Sequence, residues 1–271
     1  MKSPYLIRIQ ELIEEAEETD YIMPLWLPYL PAIMIGASVI TLTVARVIIG
    51  SLVKRRFVVL PPMYRLIMMS YTRPGSMYVL SFMGLSILVL IGIIGIILEL
   101  YVLYKWIKRR NDHFKRTHRL YDNVIAYLRT RGYEEEHLLR LTDILNDMRE
   151  EEVMKNAVLW IVLYIVFPPI ILYIYHFLNR DFYEHERREA RLYSILSRLV
   201  REKIPEVYIP EFERKIPNRN TVLYIVLSII TIGIFTLYWI YTITKDPNEH
   251  FKEHKKRERT ILEALERLSA S

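Results

Sequence analysis

The sequence predicts an all-α integral membrane protein: one N-terminal membrane helix, then three tandem repeats of a broken apolar helix followed by a charged amphipathic cytoplasmic helix. Three observations carry this. First, 52% of the residues are hydrophobic and mean hydropathy is +0.14, yet 25% are charged. Such a balance fits only if apolar and charged blocks are segregated, as they are. Second, Leu-Tyr recurs at Leu100-Tyr101, Leu172-Tyr173 and Leu237-Tyr238, and twelve residues after each tyrosine comes an acid-His pair: Asp112-His113, Glu184-His185 and Glu249-His250. Three matches at one spacing read as a repeat. Third, each repeat's apolar segment has helix breakers near its middle: Gly92 and Gly95, Pro168 and Pro169, and Gly233.

The chain divides into five parts. Residues 1–21 form an amphipathic helix, with Leu6, Ile9, Leu12 and Ile13 on one face. Residues 22–76 hold the first membrane segment and an interfacial linker. Pro24, Pro28 and Pro31 sit in a Trp- and Tyr-bearing lead-in, the composition of a membrane interface. The apolar run 32–53 matches a hydrocarbon core of ~30 Å, with Arg46 near its end and Lys54-Arg55-Arg56 closing it. The stretch 57–76 is basic, apolar and free of acids, and should lie in the interface.

Repeat 1 spans 77–155, with apolar part 77–104 and a helical hairpin tail at about 107–130 and 134–155, turned at Arg131-Gly132-Tyr133. Repeat 2 spans 156–220, with apolar part 157–178, a helix to about 203 and a proline-punctuated, extended linker. Repeat 3 spans 221–271, with apolar part 221–243 and a helix to about 268. There Asp246 reads as an N-cap, Pro247 as the first helical residue and Glu249 as its capping-box partner. In the tails, Tyr121, Val124 and Leu128 match Tyr193, Leu196 and Val200, with Ile261 and Leu265 taking the later positions. This face should pack on a sister helix or another subunit.

Each apolar segment of a repeat reads either as one kinked crossing or as a hairpin that dips in and returns. A half-segment is about 16 Å of helix, half the hydrocarbon thickness. Strict crossing divides Lys and Arg almost evenly between the two sides, and basic residues flank both ends of every segment. Such flanks prefer the cytoplasm. The expected location is the cell membrane, multi-pass or re-entrant, with most charged helices cytoplasmic.

The repeats also share basic positions. Lys108, Arg180 and Lys245 lie seven residues after the tyrosine, Lys115, Arg187 and Lys252 fourteen after, and Arg119, Arg191 and Lys256 eighteen after. Those steps return to nearly one angle on a helix, giving a basic stripe suited to anionic lipid. The net charge of +6 agrees with this. A nucleic-acid partner is not expected, because the basic residues hug the ends of apolar segments.

Chemistry-bearing residues are few. The chain has no cysteine, so disulfides, thiolate metal sites and cysteine nucleophiles are excluded. That absence, with richness in Ile, Glu, Arg, Lys and Tyr, leans toward a thermophilic source. No cleavable signal pattern is visible, and no P-loop, G-x-S-x-G, H-E-x-x-H or dinucleotide fingerprint. His250 and His254 are four apart and share a helix face, the spacing of a metal pair, and His113 and His185 could join them if the repeats pack around an axis. The plain alternative is interfacial histidine on charged helices. Glu99 is the one acid inside an apolar segment, a candidate for an ion path. Glu134-Glu135-Glu136 suits a helix start, whereas Glu150-Glu151-Glu152 at the helix end opposes the dipole.

Residues 231–239, Thr-Ile-Gly-Ile-Phe-Thr-Leu-Tyr-Trp, fit the pattern T-x-G-[IV]-[YF]-x-x-Y-W, and Thr244-Lys245-Asp246 follow. On these residues the stretch from about 221 to 265 resembles a small family of prokaryotic membrane domains of unknown function. The first two repeats lack the glycine-aromatic pair and the tryptophan. The resemblance implies a membrane setting and supplies no reaction, cofactor or substrate.

The leading expectation is therefore a non-enzymatic membrane scaffold or membrane-shaping assembly protein, without cofactor. It would bind anionic lipid through the basic stripes, form a homo-oligomer and recruit a cytoplasmic protein through its tails. An ion channel or transporter using broken helices and Glu99 is the alternative, and a metal-binding membrane enzyme the third.

Overall fold

The computed structural model describes residues 3–59, 74–206 and 209–270. Every element among them is helical, without a strand. The chain forms two compact units: Trp26–Val102, and Met1–Leu25 together with Leu103–Ser271.

The unit Trp26–Val102 contains a 3-10 turn at Leu27–Tyr29, α3 (Leu30–Val59) and the first part of α4 (Pro74–Thr130). Two stretches here are long and apolar enough to cross a membrane, one at Leu27–Val47 with mean hydropathy 1.8 and one at the start of Met83–Thr130 with 2.7. Gly92 and Gly95 were expected to break the second, but α4 runs through both without interruption. The reason is packing. A Cβ on Gly95 would stand 2.9 Å from Ile35 Cγ1 and 3.1 Å from Met34 Cβ, and one on Gly92 would stand 3.6 Å from Ser38. Gly95 lets α3 approach closely, the usual role of small residues between apolar helices, while a Cβ at Gly92 would make an ordinary contact. Glu99 lies half-buried on this continuous helix. Residues 60–73, most of the predicted interfacial linker, lie outside the described residues.

In the other unit, α1 (Pro4–Glu14) and α2 (Ala16–Thr19) form the amphipathic N-terminus, and Leu6, Ile9 and Leu12 are buried. The outer part of α4 is followed by α5 (Glu135–Glu151). Between them Gly132 takes φ +70° and Tyr133 N–H donates to the Leu128 carbonyl (3.4 Å), a left-handed helix stop that glycine adopts without strain. Next come α6 (Ala157–Val166), a 3-10 turn at Pro168–Ile170, α7 (Ile171–Lys203), α8 (Thr221–Ile230) and α9 (Ile234–Ala270). Residues 209–220 run without helix or strand.

One apolar core joins the tails. Tyr121, Val124 and Leu128 of α4, Tyr193, Leu196 and Val200 of α7, and Ile261 and Leu265 of α9 are all buried together, with Leu6, Ile9 and Leu12 of α1 and the apolar face of α5. The matched faces thus meet sister helices of the same chain.

α6 and α8 begin alike. Asn156 and Asn220 each accept from the backbone N–H three residues on, Leu159 and Leu223, at 3.1 Å. Both helices then turn back. α6 stops at Phe167 before Pro168-Pro169, which have no N–H to continue it, and Trp160 packs on Tyr173 and Phe177 of α7 at ring distances of 5.5 and 5.3 Å. α8 stops at Thr231, Ile232 (φ +51°) and Gly233 (φ +87°) make the turn, and Tyr224 packs on Phe235 and Trp239 of α9 at 5.0 and 5.5 Å. The outer faces of both hairpins are apolar and exposed: Val166 is 77% and Ile232 94% accessible.

Asp246-Pro247 was expected to open a new helix. Instead α9 continues through Pro247. Proline cannot donate to the carbonyl four residues back, and its ring pushes that carbonyl outward. That carbonyl belongs to Ile243, and the buried Arg109 guanidinium takes it at 2.9 Å. Asp246 does not cap; it pairs with Arg219 at 2.7 Å.

Candidate functional site

Where the three tails leave their apolar segments, their facing side chains are polar. His113 comes from α4, His185 from α7, and His250 and His254 from successive turns of α9. All four are buried, and one ligating nitrogen of each lies within 4.8 Å of the others. The rings pack on Phe114, Phe182 and Phe251. Phe114 stacks on His185 at 4.3 Å, and Phe251 lies 4.7 Å from His113.

Each ring is held by a carboxylate. His113 Nδ1 lies 2.9 Å from Asp20 Oδ1, His185 Nδ1 3.0 Å from Glu152 Oε2, and His250 Nδ1 3.3 Å from Glu186 Oε1. His254 sits between two acids, with Nε2 2.5 Å from Glu189 Oε1 and Nδ1 3.0 Å from Glu258 Oε1. The acids are themselves fixed. Arg116 donates to Asp20 at 2.9 Å and to Glu258 at 2.6 Å. Tyr121 donates to Glu189 at 2.9 Å, and the backbone N–H groups of Lys215 and Ile216 bond to Glu186. Glu152 also accepts from His118 at 2.7 Å.

Burial works against every one of these charges, and the outcome depends on the neighbours. Burial would raise Glu152, but His185 and His118 outweigh it and hold it at about 2. Asp20 is likewise held well below the carboxylate range by His113 and Arg116, against burial. His250 is pushed down by burial in spite of Glu186. For His254 burial also disfavours the cation, but Glu189 and Glu258 raise it to about 9. Five carboxylates touch the rings, and three arginines answer them: Arg116, Arg188 beside Glu152 at 3.7 Å, and Arg257 beside Glu189 at 3.9 Å. Counting His254 as a cation, one negative charge is left over, and two once that ring releases its proton.

The four histidines were legible by spacing; Asp20 and Glu152 were not. Glu258 continues the 250–254 step by one more turn, and Glu186 and Glu189 flank His185 on its helix, so these carried a periodic signal. Asp20 lay at the end of the N-terminal amphipathic stretch. Glu152 belonged to the Glu150-Glu151-Glu152 run, which made no sense as a solvated helix end. It ends α5 and turns inward to the histidines.

The basic stripe lies outside this core. Lys108, Lys115, Arg180, Arg187, Arg191, Lys252 and Lys256 are exposed, and Arg119 and Lys245 half-buried. Lys108, Arg187, Lys245 and Lys256 pair with acids of their own helix, and Arg119 with Glu15. Neither open cavity of this unit, one of about 380 Å³ lined by Lys155, Arg180 and Arg188 and one of about 250 Å³ lined by Tyr21, Lys105 and Arg109, is lined by any of the four histidines.

Residues 219–265 match a domain of unknown function, DUF4234. This span contains α8 and its cap Asn220, most of α9, and His250, His254 and Glu258. The resemblance at about 221–265 falls within it. No curated protein matches the chain, and no solved structure does.

Proposed function

We propose that this chain is a membrane-anchored scaffold whose two broken hairpins enter one leaflet and return, while its tails form a single bundle on the cytoplasmic face. One observation carries the reading: the tails of α4, α7 and α9 share one buried core, while the α6–α7 and α8–α9 turns leave their apolar faces exposed. A shared core cannot stand on both sides of a membrane. Ten-residue arms reach about 15 Å, half of a hydrocarbon core of ~30 Å. Residues 1–25 belong to the same unit as 103–271, so the segment between them must cross an even number of times. Two crossings, at Leu27–Val47 and in the apolar part of α4, meet that requirement. An exposed apolar patch of this extent calls for lipid or protein cover. The second and third repeats then share one job, an apolar wedge, a basic base and a tail that joins the bundle, while the first supplies a crossing helix with the same kind of tail.

The basic stripes supply attraction to anionic head groups, worth about 1 kcal/mol per Lys or Arg near the surface. Among the described residues, Lys115, Arg180, Arg191 and Lys252 are the stripe members without an acid within ion-pair distance. In mild detergent the purified protein should self-associate and retain phosphatidylglycerol over phosphatidylcholine. Changing these four residues to Gln should reduce that preference about tenfold or more. A monomer that exchanges both lipids equally contradicts the proposal.

A further inference from the structure

We infer that His113, His185, His250 and His254 bind one divalent transition-metal ion of the zinc class, in a closed site that ties α4, α7 and α9 together and fixes the N-terminal helix through Asp20. This goes beyond the scaffold reading and does not depend on it.

The hydrogen-bond polarity points to a cation. An ionised carboxylate only accepts, so Asp20, Glu152 and Glu186 require the proton of each ring on Nδ1. On these three rings Nε2 then presents a bare lone pair, whereas His254, whose two nitrogens face Glu189 and Glu258, must release a proton to join them as the fourth ligand. His113 Nε2 and His250 Nε2 face each other at 3.1 Å, two acceptors without a hydrogen between them. His185 Nε2 is fully buried and has no hydrogen-bond partner among the described residues. Neutral imidazole with its other nitrogen on a carboxylate is the usual form of a metal ligand, because the acid fixes the tautomer and raises the basicity of the coordinating nitrogen. Here three histidines from three helices share that arrangement.

Distance and charge agree. Nitrogens at about 2.0–2.1 Å from a tetrahedral zinc stand roughly 3.4 Å apart. The His113–His250 pair is already at 3.1 Å, and the widest separation, 4.8 Å, needs to close by little more than an ångström. Once His254 releases its proton to become a ligand, the surplus of two carboxylate charges equals the charge of one divalent ion. An all-imidazole donor set suits zinc, copper, nickel or iron rather than magnesium or calcium, which take oxygen. All four histidines are buried away from the two cavities described above, and sites closed in this way hold structure, whereas catalytic zinc keeps an open position.

The test uses full-length protein carrying a tag without histidine. After equilibration with zinc and removal of excess, metal analysis should find one zinc per chain. Cobalt in its place should give the visible absorption of tetrahedral nitrogen ligation, and a chelator should lower the melting temperature. His185→Ala and His250→Ala should each abolish stoichiometric metal, whereas His137→Ala, a half-exposed residue outside the cluster, should keep it. Asp20→Asn should leave the cobalt spectrum present and weaken affinity about 10–100-fold. Metal retained at one per chain in both His185→Ala and His250→Ala overturns the inference. If those variants do not fold, metal-stripped wild type decides. A helical chain that gives no cobalt spectrum at equimolar cobalt shows that the rings share protons instead, and the metal site is wrong.

Discussion

Pro247 and Arg109 offer a quantitative test of how the α9 helix is kept continuous. Pro247 leaves the Ile243 carbonyl without its helical donor, and Arg109 supplies one at 2.9 Å while its other terminal nitrogen reaches Asn248 Oδ1, also at 2.9 Å. Arg109→Met alone mixes two effects. It orphans a buried carbonyl, at a cost of about 1–3 kcal/mol. It also removes a buried cation that has no carboxylate within ion-pair distance among the described residues, which relieves desolvation of the same order. Asn248 Oδ1 is not orphaned, because it still accepts from Met23 N–H at 3.1 Å. The informative quantity is therefore the coupling. In a Pro247→Ala background the restored N–H can bond Ile243, so Arg109→Met should cost about 1–3 kcal/mol less there than in wild type. A double-mutant cycle of chemical unfolding in mild detergent measures this directly. In thermal melts the same coupling amounts to about 2–4 °C per kcal/mol for a chain of this size class. Additivity within about 0.5 kcal/mol would refute the pairing of this arginine with this proline.

Three further outcomes follow from the geometry. Arg116→Met leaves Asp20 and Glu258 facing each other in the core, and should destabilise by about 3–5 kcal/mol in denaturant titrations. Asn156→Ala and Asn220→Ala remove the caps of α6 and α8, and should each cost about 1 kcal/mol by the same assay. Glu152, held at about 2 in the folded protein, contributes stability that is complete above the ordinary glutamate range. That contribution should fade as pH falls from about 4.5 toward 2. A Glu152→Gln variant should start less stable at pH 7 and show a flatter loss over that window, and a melt series across it checks both.

Much of the fold could be read from the sequence because helical periodicity is a local signal. The tail positions from Tyr121 to Leu265 all fell into one core. The Gly132 stop was legible because positive φ has few residue solutions. Gly92 and Gly95 were misleading because glycine has two uses, loosening a helix and admitting a neighbour, and only α3 decides between them. Pro247 misled in the same way: whether a proline ends a helix depends on a donor for the freed carbonyl, and Arg109 lies far away in sequence. The histidine quartet was legible residue by residue, but its carboxylates come from four different segments, and no local pattern links Asp20 or Glu152 to the rings.

The central claim is that the hairpins return to the face they leave. Since the chain lacks cysteine, single cysteines at the exposed positions Thr130, Ser194 and Ser269 provide unique thiols on the three tails. Each is probed with a membrane-impermeant maleimide in oriented vesicles. The account predicts that all three label from the cytoplasmic side alone. Labelling of Ser194→Cys from the side opposite the other two would contradict it, because α7 would then lie across the membrane from the helices it packs against.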